Sequence, residues 1–445
     1  MHPDSDSPTA PPPARCGRGE SPTALRRVRL PRWLLPPDWP TTDGEPALAD
    51  LYLAGGRVRA RVVHDTAGPP VAGAWDLDGA LALPGLVDAH THLDKAFTLR
   101  RMGPVRPGLL GAIEAMMADR RDWTPEDVRT RAARGLQWSF EAGVTHLRTH
   151  CDWWEPQARP VAWDVLRDLA SEWSGLLTLE RVSLIPLTLY ADRQAAFELA
   201  AHVAASGPGA LLGGFVHSTN WDPAALRHLF EAAAHHGLDV DLHVDEELHP
   251  GARGLATTAG LLRVLDFPGR VVCGHSCALA VQDEARALDT LDAVARAPIT
   301  LVTLPVTNLL LQDATTGRTP RTRGLTLVQE ARTRGIPVLV ASDNVQDPFC
   351  PMGSFDPLEA LTLAVPAAQL GDAFDTWSQT LCRLDWLRRG STPTPLTAGS
   401  PADLVVFPAT DRWGFPSRTQ PRVVLRQGRA VHGPVPAAWT GAPST

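Results

Sequence analysis

Lysine is almost absent from this chain of 445 residues. Of its 42 basic side chains, 41 are arginines and a single one, Lys95, is a lysine. Net positive charge is lacking as well, because 49 acidic residues leave a formal charge of −7. A chain without a general positive field is a poor partner for nucleic acid or for an anionic membrane surface, so a small molecule is the better first hypothesis.

Long hydrophobic runs and dense cysteines are also missing. No stretch approaches the roughly 20 apolar residues that a membrane-spanning helix needs, and the N-terminal residues contain no apolar core of the secretory type. Six scattered cysteines in a chain of this length do not form a disulfide framework. We therefore expect a cytoplasmic protein with reduced thiols and without a membrane or nucleic-acid partner, and homo-oligomer formation is left open.

The two ends of the chain differ from its middle. Residues 1–29 combine Pro, Ser, Asp and Arg without hydrophobic periodicity, which predicts a disordered leader. Short β-type runs with glycine-containing turns fill residues 30–83 and return in residues 399–435. Because these two segments share one character and flank a different middle, we expect them to form one small β-sandwich domain built from both chain ends.

Residues 84–398 alternate apolar, strand-like runs with helix-like segments, which is typical of a parallel sheet with crossover helices. About eight such runs occur, from GLVDAHTH to PVLVASDN, and eight is the number that closes a barrel. The predicted fold class is therefore α/β, a (β/α)8 TIM barrel with the small β-sandwich attached. A doubly wound open sheet is the alternative.

Polar side chains occupy the ends of the predicted barrel strands, where barrels of this kind carry their working residues. His90 and His92 are two residues apart, so both point to the same face of the first strand. His243 on the fifth strand and Asp343 after the eighth complete a donor set that suits Zn or Fe(II). A lone strand-end histidine is usually structural, but the joint pattern predicts one divalent transition metal per chain.

Two more strand-end residues have the chemistry that hydrolysis needs. A metal lowers the pKa of its bound water, and the resulting nucleophile requires a proton shuttle. Glu246 follows the predicted ligand His243 by three residues and is placed to carry that proton to the leaving group. His275, at the end of the sixth strand, is placed to stabilise charge on the tetrahedral centre. We predict Glu246, His275 and Asp343 as the catalytic residues.

Several separated motifs now form an ordered series: PGLVDAHTHLDKAF, LRTHCDW, DLHVDEE, CGHSCAL, LPVTNLLLQ, RGLTLVQE and SDNVQDPFCPMG. From about residue 84 to residue 353, the chain resembles the bacterial cytosine deaminase branch of the amidohydrolase superfamily. The resemblance implies one iron or zinc ion at the four predicted ligands, with Glu246 as proton shuttle and His275 beside the hydroxide. Binuclear relatives use a carboxylated lysine on a middle strand, and no middle strand here contains one.

The resemblance implies a metal-dependent hydrolytic deaminase that cleaves an exocyclic carbon–nitrogen bond of a nitrogen heterocycle. Two departures affect the choice of ring: Leu187 replaces a glutamine that reads the pyrimidine edge, and Asn344 replaces a second aspartate. An amide both donates and accepts where a carboxylate only accepts. We therefore expect hydrolysis by the cytosine-deaminase mechanism on another ring, with N-isopropylammelide-type alkylamino-triazines, creatinine and isoguanine as alternatives.

Four further residues are candidate substrate contacts. Phe349 offers a face for stacking on a flat ring, and His217 and Asn308 lie at the ends of the fourth and seventh strands. Lys95 is either a contact to substrate or an ion-pair partner of Asp94 or another nearby carboxylate. A hypothesis of a different class is a catalytically inactive scaffold with the same fold, although scaffolds of this kind usually lose metal ligands and this chain has the full set.

Overall fold

Eight parallel strands form the centre of the molecule. The computed structural model describes residues 20–155 and 159–440. Within them the strands pair each with its neighbour in chain order, as a (β/α)8 barrel requires. The barrel strands are Leu86–Thr91, Val144–Asp152, Thr178–Leu184, Ala210–Val216, Val240–Val244, Val271–His275, Ile299–Thr303 and Val338–Val340.

The sheet closes between its first and eighth strands through side-chain and backbone contacts. Thr91 bridges to Asp343, and the backbone N–H of Asp343 donates to the carbonyl oxygen of His90 at 2.9 Å. Asp88 accepts from both the backbone N–H and the hydroxyl of Ser342, at 3.0 and 2.6 Å. The predicted barrel is confirmed, and the alternative of an open sheet is wrong.

Helices connect the strands and cover the barrel. Their ends follow the sequence signals for helix capping: the helix Pro125–Ala142 begins with proline after the N-cap Thr124 and ends at Gly143, which has φ 98°. The helices are Leu109–Asp119, Pro125–Ala142, Val161–Glu172, Arg193–Ala204, Pro223–His236, Gly254–Val264, Glu284–Ala295, Pro305–Leu311, Val328–Thr333, Pro357–Ala367, Leu384–Leu387 and Ala437–Thr440. Within the described ranges, no helix has the length and apolar character that crossing a membrane would demand.

The chain ends build two further sheets of four strands each. The first contains Ala24–Val28, Ala49–Ala54, Arg57–Val63 and Trp75–Asp76. The second contains Leu81–Pro84, Leu404–Phe407, Val423–Arg426 and Arg429–His432, and a separate hairpin pairs Thr41–Thr42 with Glu45–Pro46. One apolar cluster joins the two sheets, including Leu25 and Leu51 from the first and Leu404 and Leu425 from the second. The predicted β-sandwich from both ends is therefore present.

One predicted boundary needs correction. Residues 1–19 of the expected leader lie outside the described residues. The strand Ala24–Val28, however, is an integral part of the first sheet, with Leu25 and Val28 fully buried. Its two central residues are arginines that reach the sheet surface, and they masked the apolar pattern. The ordered sandwich thus begins before residue 29.

Candidate active site

Four predicted ligands converge at the C-terminal mouth of the barrel. The Nε2 atom of His243 lies 3.1 Å from that of His90 and 3.2 Å from that of His92. The Oδ1 atom of Asp343 lies 3.6 and 3.3 Å from those same two atoms of His90 and His92. Four ligands placed 2.0–2.2 Å from one tetrahedral ion are separated by about 3.3–3.6 Å, so the donor set fits a single small cation.

The hydrogen bonding of these groups leads to the same conclusion. The Nε2 atoms of the three histidines face one another and the carboxylate of Asp343, and neither oxygen of that carboxylate accepts a hydrogen bond of normal geometry from the described residues. All four side chains are buried. Buried acceptors facing one another without donors are costly, and a bound cation removes that cost. The residues present therefore fit a divalent metal.

Burial also selects the protonation state that a metal needs. It lowers the pKa of His90, His92 and His243 well below the ordinary value, with further lowering by neighbouring imidazoles and by Lys95. These rings are therefore neutral and have a lone pair available for coordination. Burial raises the pKa of Asp343 well above its usual range, which a cation would reverse.

Backbone strain marks the same region. Asp245, His275, Ser276 and Asp343 all have positive φ, at 52°, 66°, 52° and 64°. This left-handed conformation is uncommon for residues other than glycine, and it is typical of sites where the surrounding structure fixes functional side chains. It turns the chain sharply where the strands end. Asp245 accepts from the backbone N–H of Gly254 and of Leu255 at the start of a helix, so it has a structural role.

Glu246 and His275 lie together beside the four donors. The Oε1 atom of Glu246 is 3.3 Å from Nδ1 of His275, and Asn308 Nδ2 contacts the same nitrogen at 3.0 Å. Asn308 thus orients His275, whose Nε2 has no partner in the described part of the chain. Burial, followed by the charge of Asp343, raises the pKa of Glu246 well above its ordinary value. Burial lowers the pKa of His275 to about 3.

A cavity opens above this cluster. Its polar wall contains His92, His243, Glu246 and His275 together with Lys95, Asp152 and Asn344. Its apolar wall contains Leu184, Phe215, Trp154 and Phe349, and the helix Leu109–Asp119 adds Leu109, Ile113 and Met116. A polar floor beneath apolar and aromatic walls is the usual form of a site for a flat, partly polar small molecule.

Lys95 is buried in the cavity wall and paired. Its Nζ atom donates to Asp152 Oδ1 at 2.8 Å and lies 5.0 Å from the centre of the Phe349 ring. Asp94, the partner we considered, instead accepts from the backbone N–H of Lys95 and of Asp152. The ion pair with a nearby carboxylate is therefore present, and the contact to substrate stays a prediction for a side chain that also faces the cavity.

Three predicted substrate contacts do not line the cavity. Leu187 is fully buried in the main apolar core, since the chain turns inward after the third strand, and Leu184 takes the position at the cavity wall. His217 stacks on Phe215 with an angle of 15° between the rings and contacts the Thr219 hydroxyl at 2.9 Å. Asn308 acts on His275, as described above. Of the predicted set, Asn344, Phe349 and Lys95 are at the wall.

Two residues of the second strand were missed. His150 stacks on His90, with ring centres 3.9 Å apart, and Asp152 lines the cavity. The sequence THCD contained the signal, because His150 and Asp152 alternate at the strand end exactly as His90 and His92 do. The motif LRTHCDW contains both residues, and the predictions from sequence give them no role.

The fold and the geometry agree with comparison to known proteins. The model of the amidohydrolase family matches residues 74–218 and 179–432, well over half of the chain. The chain belongs to the amidohydrolase family. Together with the His/Asp donor set, this membership indicates a divalent metal at the barrel mouth.

Particular relatives refine that class. The chain is 37% identical over 392 residues to a pterin deaminase of Rhizobium rhizogenes, covering 87% of this chain and 89% of the relative. It is 22% identical over 369 residues to the N-isopropylammelide isopropyl amidohydrolase of a Pseudomonas species, covering 80% and 87%. The crystal structure of 5-methylcytosine deaminase from Klebsiella pneumoniae superposes with a TM-score of 0.77 at 24% identity, over 93% of this chain and 98% of that one.

These findings confirm the family resemblance inferred from the motifs. The expected class, a hydrolase of carbon–nitrogen bonds in cyclic amidines, is also confirmed. Pterins were not among the rings that we considered from the sequence.

Proposed function

We propose that this protein is a hydrolytic deaminase that replaces the exocyclic amine of a 2-amino-4-oxo heterocycle, such as a pterin, with oxygen. The observation that carries the proposal is the convergence of three imidazoles and one carboxylate at the base of a cavity that Glu246 and His275 also line. The pterin deaminase at 37% identity supports the choice of ring.

The four converging side chains would hold one zinc or iron ion per chain. Bound there, the ion supplies a Lewis-acid centre that makes water nucleophilic near neutral pH. Water adds to the ring carbon that bears the amine, the carbon–nitrogen bond breaks, ammonia leaves, and the carbon becomes a carbonyl.

Glu246 moves the protons in this reaction. It accepts one proton from the attacking water and delivers it to the ring nitrogen, and it then moves the second proton, from the hydroxyl on the tetrahedral carbon, to the departing amine. A carboxyl group whose pKa is raised by burial is suited to hold and return a proton. His275, oriented by Asn308, presents its unpartnered Nε2 to the oxygen on the tetrahedral carbon.

The cavity walls support a flat, aromatic substrate. Phe349 and Trp154 contribute aromatic rings to the wall, and Met116 and Ile113 contribute to its apolar side. Such a cavity excludes water from around the ring, and exclusion of water strengthens the interactions of Glu246 and His275 with the reacting atoms.

A substrate panel tests the proposal. Protein loaded with zinc or with iron is assayed for ammonia or amine release from pterin, cytosine, 5-methylcytosine, isoguanine, creatinine and N-isopropylammelide. We expect the highest kcat/KM on pterin and about one equivalent of metal per chain. Absence of turnover on every ring by fully metal-loaded protein would refute the deaminase function and favour the scaffold hypothesis.

A further inference from the structure

Three carboxylates surround the only lysine of the chain at the cavity wall, and they differ in how their oxygens are used. Both oxygens of Asp94 accept backbone N–H groups. Asp347 accepts the backbone N–H groups of Phe349 and Cys350 on Oδ1 and the side-chain amide of Asn344 on Oδ2. Each oxygen of these two aspartates thus already accepts a hydrogen bond from within the protein, and the two side chains order the loops around the cavity.

Asp152 is the exception among the three. Its Oδ1 accepts from Lys95 Nζ, but its Oδ2 is buried and has no hydrogen-bond partner. Its side chain is 2% exposed and lines the cavity. A buried carboxylate oxygen without a donor is costly, and a ligand N–H in this cavity would offset that cost.

Lys95 complements this free acceptor. An ammonium group has three N–H donors, and in the described residues its one hydrogen-bond acceptor is Asp152. The pair therefore presents a free acceptor next to free donors. The edge of a heterocycle that matches it is a lactam, in which a ring N–H lies beside a carbonyl oxygen.

We propose that Asp152 and Lys95 together recognise the lactam edge of the substrate ring. Asp152 Oδ2 accepts from the ring N–H, and Lys95 Nζ donates to the adjacent carbonyl oxygen. This inference rests on the proposed function for the identity of the site, and it adds a substrate class: rings with a lactam edge are accepted, and amino-heterocycles without one are discriminated against.

The test compares ligands that differ at this edge. Pterin has the N3–H and C4 carbonyl, and 2-aminopteridine lacks the carbonyl but keeps the scissile amine. Turnover of both is measured for the zinc-loaded wild type, Asp152→Asn, Lys95→Met and Glu114→Gln. Glu114 is the matched control, because it lies on the helix over the cavity with its side chain 66% exposed. Direct binding of 2,4-dioxopteridine, which has no amine to lose, is titrated for the same four proteins.

Loss of a charge-assisted hydrogen bond is expected to weaken binding of 2,4-dioxopteridine about 10- to 100-fold in Asp152→Asn and in Lys95→Met. The kcat/KM for pterin should fall by a similar factor while that for 2-aminopteridine changes less than about threefold. Glu114→Gln should match the wild type. Lys95→Met keeps the test decisive if Asp152→Asn fails to fold.

The outcomes separate the two proposals. Unchanged affinity and an unchanged preference for pterin in both variants, with only a lower Tm, would show that the pair merely orders its loops. Failure of the wild type to bind 2,4-dioxopteridine would also overturn the recognition proposal. Tight binding of 2,4-dioxopteridine that depends on Asp152, without ammonia release from any ring, would refute the deaminase function and leave recognition standing.

Discussion

Two polar clusters lie inside the same barrel, one layer apart. Arg148 and Asp241 precede His150 and His243 by two residues on the second and fifth strands, so they point to the same face one layer farther from the mouth. Arg148 donates to Glu180 at 2.7 Å, to Asp241 at 2.8 Å and to a backbone carbonyl. The lower cluster thus contains its own counter-charge.

The upper cluster has no such internal partner. Its three imidazoles and Asp343 bring acceptors within 3.1–3.6 Å of one another. Both layers are buried, strand-borne and polar, so burial alone does not distinguish structure from function. The difference lies in whether the layer contains a cation: Arg148 balances the lower layer and stabilises the barrel, with Asp241 Oδ1 left as an acceptor without a hydrogen bond in the described residues, whereas the upper, unbalanced layer is completed by a ligand.

Removal of one predicted metal ligand from the upper cluster should have the largest effect on activity and little effect on folding. In His243→Asn we expect bound metal to fall below about 0.1 equivalents and turnover to fall at least about a thousandfold, because the ion that activates water is lost. Metal content by elemental analysis and kcat measure this. The free energy of unfolding of the metal-free variant should stay within about 1 kcal/mol of the metal-free wild type, since an unbalanced group has been removed.

The control for that change is His235→Asn, at an exposed position on the helix Pro223–His236. It should keep full metal content and turnover. A His243→Asn protein that retained one equivalent of metal would show that the cation is held elsewhere.

Substitution of the predicted proton shuttle should separate the loss of the chemical step from the loss of metal binding. Glu246→Gln keeps the shape of the side chain but can no longer take up the proton, so turnover should fall at least about a hundredfold with metal content unchanged. Steady-state kcat and elemental analysis check this. Near wild-type turnover would remove Glu246 from the proposed mechanism.

Breaking the lower cluster should have the opposite effect, with the main loss in the free energy of unfolding. Arg148→Met leaves Glu180 and Asp241 buried without their cation, and we expect a loss of about 3–5 kcal/mol of unfolding free energy. Denaturant unfolding measures it. Arg129→Met, which removes the exposed pair with Glu172, is the matched control and should cost at most about 1 kcal/mol. Equal losses in the two variants would contradict the assigned structural role.

Much of this architecture could be predicted from sequence, because it depends on local patterns. Strand alternation placed His90 and His92 on one face, and glycine at helix ends marked the crossovers. Eight strand-like runs then determined the barrel. The strand Ala24–Val28 escaped prediction because its arginines interrupt the apolar pattern.

The cavity wall was harder, since its composition depends on how loops turn after each strand. Leu187 follows the third strand by only three residues but turns into the core, whereas Leu184, the last residue of that strand, faces the cavity. The pairing of Lys95 with Asp152 joins residues 57 positions apart, so no local spacing in the sequence predicts it. Neither Leu187 nor this pair could be placed without the three-dimensional arrangement.

The pH dependence of stability gives the smallest effect and the sharpest test of the lower cluster. Burial alone would raise the pKa of Glu180, but the charges of Arg148 and His146 more than offset this and hold it well below the ordinary value. A carboxylate with a depressed folded-state pKa contributes stability above its unfolded pKa of about 4.3, and that stability is lost as the pH falls below it. Between about pH 5 and pH 3, Glu180→Gln should therefore lose less unfolding free energy than the wild type.

Glu172→Gln, which alters an exposed carboxylate, should follow the wild-type slope. Parallel slopes for wild type and Glu180→Gln would mean that the charge of Glu180 does not stabilise the folded barrel, and the contrast between the balanced and unbalanced layers would then rest on the arginine alone.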